Sequence, residues 1–207
     1  MRPITSCLFV TALMLVVVLM LAACSAYLPQ QIERDVTQWH PYHIRIDGDV
    51  YRIKIPPKGL IINKPVTDIS AGSVDDYLIA ASFGFDYGRG TYNDIAQFEV
   101  SVSVSRIDDG VSCNSDRARF GDCILQDAKA SRVGNINQYK KLGSLLWFHE
   151  SDIQTPWDAY SVMLGEHHYL TIEGHYWRDL VARPGMLADR RKLVEEIVST
   201  VRILQES

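Results

Sequence analysis

Phe98, Val100, Val102 and Val104 alternate without a break with Glu99, Ser101, Ser103 and Ser105. Side chains that change character at every step match the two-residue repeat of an extended strand, not the 3.6-residue repeat of a helix. This stretch commits the chain to a β-sheet, with one apolar face and one face expected to be wet. Residues 77–85 alternate less cleanly and read as a strand buried on both faces. Between the two, residues 86–95 carry Gly88, Gly90 and Asn93, a loop that lets them pair as a hairpin. Upstream, Tyr51, Ile53 and Ile55 alternate with Arg52 and Lys54. Pro56-Pro57-Lys58-Gly59 stops that strand, and a short apolar piece follows at residues 60–62. Downstream, residues 145–149, 159–164 and 168–172 read as a three-stranded meander, with Gly165-Glu166 as a tight turn between the last two.

Only one segment has a strong helical period. After the break at Arg183-Pro184-Gly185, the positions Leu187, Arg190, Leu193, Val194, Ile197, Val198 and Val201 recur at three-and-four spacing. The Arg190 stem is expected to snorkel at the margin of this apolar stripe. A shorter helix is expected at residues 126–130. A sheet with one solvated face and a helix on the other is an α+β sandwich, so the expected fold class is α+β, an antiparallel sheet packed by a C-terminal amphipathic helix. The chain has 207 residues and neither an internal repeat nor a low-complexity tract, which fits a single globular domain over residues 36–207.

The first residues have a different composition. Arg2 is their one charged side chain, residues 8–23 are apolar but for Thr11, and small residues precede Cys24. This is the pattern of an export signal, and the apolar run is shorter than the roughly 20 residues of a spanning helix. Leu21-Ala22-Ala23-Cys24 resembles the lipobox of bacterial lipoproteins. The resemblance implies that residues 1–23 are removed as a signal peptide, that Cys24 is acylated and begins the mature chain, that residues 24–35 form a tether, and that the domain faces the periplasm. Ser25 stands where an Asp would signal inner-membrane retention, which leans toward the outer membrane. The net charge of -4 offers no attraction to anionic lipid or to nucleic acid, so the membrane is held through lipid alone and nucleic acid is not an expected partner.

Of the four cysteines, Cys7 leaves with the leader and Cys24 carries lipid. Cys113 and Cys123 remain, and in an oxidising compartment they are expected to form a disulfide around a polar, turn-rich stretch. Closing so short a loop restricts the unfolded chain by about 3 kcal/mol. Two cysteines without a nearby His or third Cys do not make a zinc site.

No nucleophile elbow, zinc-protease helix motif, phosphate loop or dinucleotide fingerprint occurs in the sequence. His167, His168 and His175 flank Glu166 and Glu173, but on one extended strand His167 and His175 lie roughly 26 Å apart and cannot share an ion. Glu173 and His175 face the same way, half a site at most. His40-Pro41-Tyr42-His43 reads as part of a connector, and Asp75-Asp76 and Asp108-Asp109 sit beside turn formers and read as turn chemistry. The expectation is no catalytic residue, no metal and no cofactor. Interface-type side chains are placed more tellingly. Tyr87, Arg89 and Tyr92 lie in a Gly-rich loop, and Arg117, Arg119 and Phe120 lie inside the cysteine-closed loop. Ordering a cross-linked loop costs less on binding, so Arg117, Arg119 and Phe120 are the expected partner-binding residues. Trp147, Phe148 and Trp157 read as core.

The ending of the chain carries a second resemblance. An aromatic hairpin at residues 167–176, a loop, the helix and then Ser199-Thr200-Val201-Arg202-Ile203 resemble the C-terminal part of the Mog1/PsbP-like sandwich fold. A similar ending is found in periplasmic lipoproteins that act as immunity proteins against phospholipase effectors of type VI secretion systems. The resemblance implies a non-enzymatic protein whose partner is a secreted phospholipase toxin. The alternative is an envelope-assembly or maintenance lipoprotein that adapts a larger complex.

Overall fold

The computed structural model describes residues 31–57, 59–63, 66–74, 77–87, 96–106, 136–152, 156–164 and 168–204. These hold the strands β1 (His40–Ile46), β2 (Asp49–Ile55), β3 (Leu60–Asn63), β4 (Asp68–Ile69), β5 (Tyr77–Tyr87), β6 (Ala96–Arg106), β7 (Ile136–Leu142), β8 (Leu145–Asp152), β9 (Trp157–Met163), β10 (His168–Tyr176) and β11 (Arg202–Leu204), with helices α1 (Arg178–Val181) and α2 (Pro184–Ser199). A seven-stranded sheet has the order β3-β5-β6-β10-β9-β8-β7, and a four-stranded sheet has the order β11-β2-β1-β4. Every pairing is antiparallel except that of β1 with β4. The fold is α+β, with the C-terminal helix packed on the sheets.

The hairpin of β5 and β6 forms as the sequence implies, with Leu78 opposite Val104 and Phe85 opposite Phe98. β8, β9 and β10 form the meander, and β10 then closes against β6. One apolar core results. Phe98, Val100, Val102 and Val104 from β6, Leu170 and Ile172 from β10, and Leu193, Val194, Ile197 and Val198 from α2 all belong to it. Ile44, Ile53 and Ile55 add the four-stranded sheet, and Tyr42 meets Phe83 at 4.7 Å across the two sheets. Phe85, Phe98 and Tyr176 stack in series at 5.4 and 5.5 Å.

The second face of β6 departs from expectation, because it is not wet: Ser101, Ser103 and Ser105 are 3, 0 and 7% exposed. β6 is a central strand, and its short seryl side chains stand between taller neighbours. Ser105 lies opposite Tyr77 and Tyr169, and Ser103 lies opposite Ile79 and Thr171. Alternation reports which way a side chain points, not what shades it.

Residues 40–43 also differ, since they are the first half of β1 and not a connector. Pro41 is tolerated there because β4 pairs β1 only at Arg45 and Ile46, leaving Pro41 on an edge where no ladder donor is required. Asp47-Gly48, with φ of 49 and 92°, makes the two-residue type I′ turn into β2.

α2 starts at Pro184, inside the segment read as a break, because proline suits the first helical position, where its missing N–H has no partner to lose. At the other end the Thr200 hydroxyl donates to the Ile197 carbonyl (2.6 Å) and accepts from the Lys54 N–H (3.0 Å), fastening the helix end to β2. Arg190 does not snorkel. Its guanidinium is buried and grips Asp86 through Nε (2.6 Å) and Nη2 (2.9 Å). The left-handed φ of 54° at Asp86 interrupts the alternation at the end of β5 and lets the carboxylate meet the helix.

The N-terminal approach is fastened early. Ile32 is buried, Arg34 pairs with Glu196 at 2.6 Å and with Asp189, and the Trp39 indole donates to the Glu33 carbonyl at 2.9 Å.

Candidate functional site

Strand register builds an ionic and aromatic network on the inner side of β7, β8 and β9, under α2. Gln138 stands opposite His149, and His149 opposite Tyr160. The His149 ring lies on the Tyr160 ring at 4.4 Å and 14°, its Nε2 is 3.0 Å from Asp158 Oδ1, and its Nδ1 is 3.4 Å from Gln138 Nε2. Arg191 of α2 reaches Asp158 Oδ2 at 3.2 Å. One turn further along the helix, Glu195 accepts from the Tyr160 hydroxyl (3.1 Å) and pairs with Lys140 (2.7 Å). Burial, reinforced by Glu195 and Asp158, holds the Tyr160 phenol far above its ordinary range, so it stays a donor. Burial and Asp158 do the same to Tyr176. Both ring nitrogens of His149 thus have a polar neighbour, Asp158 on one side and Gln138 on the other. The network ties three strands to one helix.

The same register that points Lys140 inward points Tyr139 and Lys141 to the opposite face of β7, where Tyr139 meets Phe148 at 5.3 Å and Lys141 lies opposite Leu146. The turn Gly143-Ser144 has a positive φ of 63° at its glycine, and a Cβ there would come within 2.3 Å of the Ser199 carbonyl. The turn is thereby seated against the end of α2 and the start of β11. Between turn, β9 and β11 opens a recess of about 370 Å³ lined by Tyr139, Leu145, Leu146, Val162, Met163 and Ile203, together with Lys141 and Ser144. Leu146 is 53% exposed, Ile203 41% and Tyr139 40%, so an apolar surface faces solvent on a frame that the network holds still.

The residues singled out by sequence fare differently. Cys24, Cys113, Cys123, Arg117, Arg119 and Phe120 lie outside the described residues, as do Arg89, Tyr92, His167, Glu166, both aspartate pairs and the short helix expected at residues 126–130. Tyr87 is the last residue of β5. Trp147 and Phe148 are buried, and Trp157 is half-buried. Glu173 and His175 do come together, with Nε2 and Oε2 3.0 Å apart, and Ser101 donates to the same carboxylate at 3.4 Å. Among the described residues no group of three or more His, Cys, Asp or Glu is placed to hold a metal ion. No helix among them is long and apolar enough to cross a membrane.

Recess and network were both missed in the sequence, and one signal for them was present. Gly143-Ser144 between two strand-like runs is a two-residue hairpin turn, which sets β7 against β8 and brings Gln138 to His149. No known protein family matches the chain, and no curated protein matches it in sequence.

Proposed function

We propose that this chain is a lipoprotein anchored through Cys24, facing the periplasm, that acts by binding another protein and not by catalysis. The observation that supports contact is the recess: exposed apolar side chains gathered on a fixed frame are what a partner's anchor residues need, and a frame already ordered costs less to bind. The concrete version is neutralisation of a phospholipase effector of a type VI secretion system. Its support is the resemblance of the closing hairpin and helix to the Mog1/PsbP-like sandwich and to immunity lipoproteins. In this reading the loop closed by Cys113 and Cys123, with Arg117, Arg119 and Phe120, is a second contact surface.

The test is a search of the neighbouring genes for a phospholipase-like toxin and calorimetric titration of the full chain against that purified toxin, followed by survival of cells that make it in the periplasm. The lack of any such gene would count against neutralisation. Tight binding with protection supports neutralisation. A stable envelope complex without protection would assign the adaptor role instead. Hydrolysis by the purified chain would end the contact reading.

A further inference from the structure

We infer that the recess between the β7–β8 turn and β11 receives an acidic-apolar segment of a protein, one or two aliphatic or aromatic side chains next to a carboxylate. This rests on the contact reading above and names the chemistry of the partner. At about 370 Å³ the recess is near the lower end of the roughly 300–1,000 Å³ of ligand pockets, room for anchor side chains. Among the described residues its one charged lining residue is Lys141, which is exposed. The neighbouring cation Lys140 is matched by Glu195, and Arg202 sits beside the turn with Nη1 on the Ser199 and Val201 carbonyls. The lining formed by the described residues holds no carboxylate, on a chain whose net charge is -4. A single cation at the mouth of an apolar hollow favours one negative group beside an apolar anchor, since the pair forms where water is partly excluded.

The position of β7 adds a second attraction. It is the last strand of its sheet among the described residues, and a sheet edge is the kind of surface to which an extended segment adds as a further strand. A second copy of this chain is disfavoured, because a two-fold contact would bring the same cationic rim against itself. An anionic membrane is disfavoured too, because such surfaces recruit clusters of about four to eight basic residues, not one.

The experiment uses the full chain in a nanodisc of neutral phosphatidylcholine and three fluorescent peptides, Glu-Leu-Trp-Leu-Glu, Lys-Leu-Trp-Leu-Lys and Glu-Ser-Gly-Ser-Glu. Binding is read by anisotropy and by methyl shifts of Leu146, Met163 and Ile203. The expected result is that the first peptide binds at least about tenfold more tightly than the other two. Leu146→Asp, a change at an exposed position, should abolish that binding, and Lys141→Glu should reverse the preference between acidic and basic peptides. Equal binding of the acidic and basic peptides, or indifference to Leu146→Asp, overturns the inference. So does displacement of the first peptide by phosphatidylglycerol nanodiscs, which would assign the recess to lipid. If the peptides fail while Leu146→Asp still weakens binding of the toxin, the segment chemistry is wrong and the contact reading stands. If Leu146→Asp leaves toxin binding intact as well, the recess drops out of both.

Discussion

Asp86 and Arg190 are 104 positions apart in the chain and form its best-enclosed ion pair among the described residues, with side chains 0 and 6% exposed. Two hydrogen bonds in parallel offset the loss of water around both charges, and Arg190 Nη1 also meets the more exposed Asp189 carboxylate at 2.6 Å. Asp86→Asn keeps a residue that tolerates the left-handed backbone and removes only the charge. It should lower stability by about 3–5 kcal/mol in urea unfolding, as should Arg190→Leu, and the double variant should lose clearly less than the sum. Near-additive losses would show that the pair is not coupled. His175 gives a pH-dependent counterpart on the other face. The hydrogen bond that it donates to Glu173 lifts its pKa above the ordinary 6.5, against the opposing effect of burial and with help from the charges of Glu173 and Glu99. A raised folded pKa means that the stabilisation is complete below the ordinary imidazole range and is lost as pH rises through the lifted value. Thermal melts of wild type and Glu173→Gln between about pH 5 and pH 8 should therefore differ most at the acid end and converge at the alkaline end. NMR titration should find the His175 pKa lower in the variant, and an unchanged value would remove Glu173 as the cause.

The elements differ in how plainly the sequence announces them. α2 was legible because its stripe recurs at three-and-four spacing and roughly its last two and a half turns bury it at Arg190, Leu193, Val194, Ile197 and Val198. β5 and β6 were legible because both are long and period two is unbroken in β6. β1, β4, β7 and β11 were not, each for a physical reason. β1 opens with His-Pro-Tyr-His, whose ring and polar groups hide the alternation, although the Asp47-Gly48 turn behind it is among the strongest hairpin signals. β7 reads Ile-Asn-Gln-Tyr-Lys-Lys-Leu and has only edge burial to specify it, while β4 and β11 are two and three residues long and exist because a sheet edge is already there. The recess inherits this difficulty, since its walls come from β7, β8, β9 and β11 and no local pattern unites them. Gly143 tests how far the turn controls it. A Cβ there would need a left-handed backbone and would also strike the Ser199 carbonyl and the Arg202 guanidinium, at 2.3 and 2.7 Å. Gly143→Ala should cost about 1–3 kcal/mol in denaturant unfolding and shift the methyl resonances of Leu146 and Ile203. An alanine variant as stable as wild type would mean that the turn is not pressed against the helix end.

At the scale of the whole molecule, the relation of domain to membrane turns on where the chain is first fastened. Ile32 is buried and Arg34 pairs with Glu196 and Asp189 of α2, so the chain is fastened to the domain within ten residues of Cys24. An extended chain advances at most about 3.3–3.6 Å per residue, so an acylated Cys24 would keep Ile32 within roughly 30 Å of the lipid. The net charge of -4 repels anionic headgroups, and attachment would then rest on acyl chains alone, each buried CH₂ contributing about 0.8 kcal/mol. Two consequences separate this arrangement from electrostatic adsorption. Washing membranes with high salt should release none of the wild-type protein, because salt screens charge and leaves hydrophobic insertion intact. Cys24→Ala should carry no fatty-acid label and should leave its leader uncut, since in the proposed reading the thiol is the group that is acylated. If the alanine chain is instead exported behind a cleavable secretory leader, it should appear in the soluble fraction with a Tm within about 2 °C of the lipidated form, because Ile32 and Arg34 already fasten the chain to the domain. Equal fatty-acid label on wild type and Cys24→Ala, measured after envelope fractionation, would refute the lipid anchor at Cys24. A large fall in Tm for the unlipidated chain would show that the anchor also supports the fold.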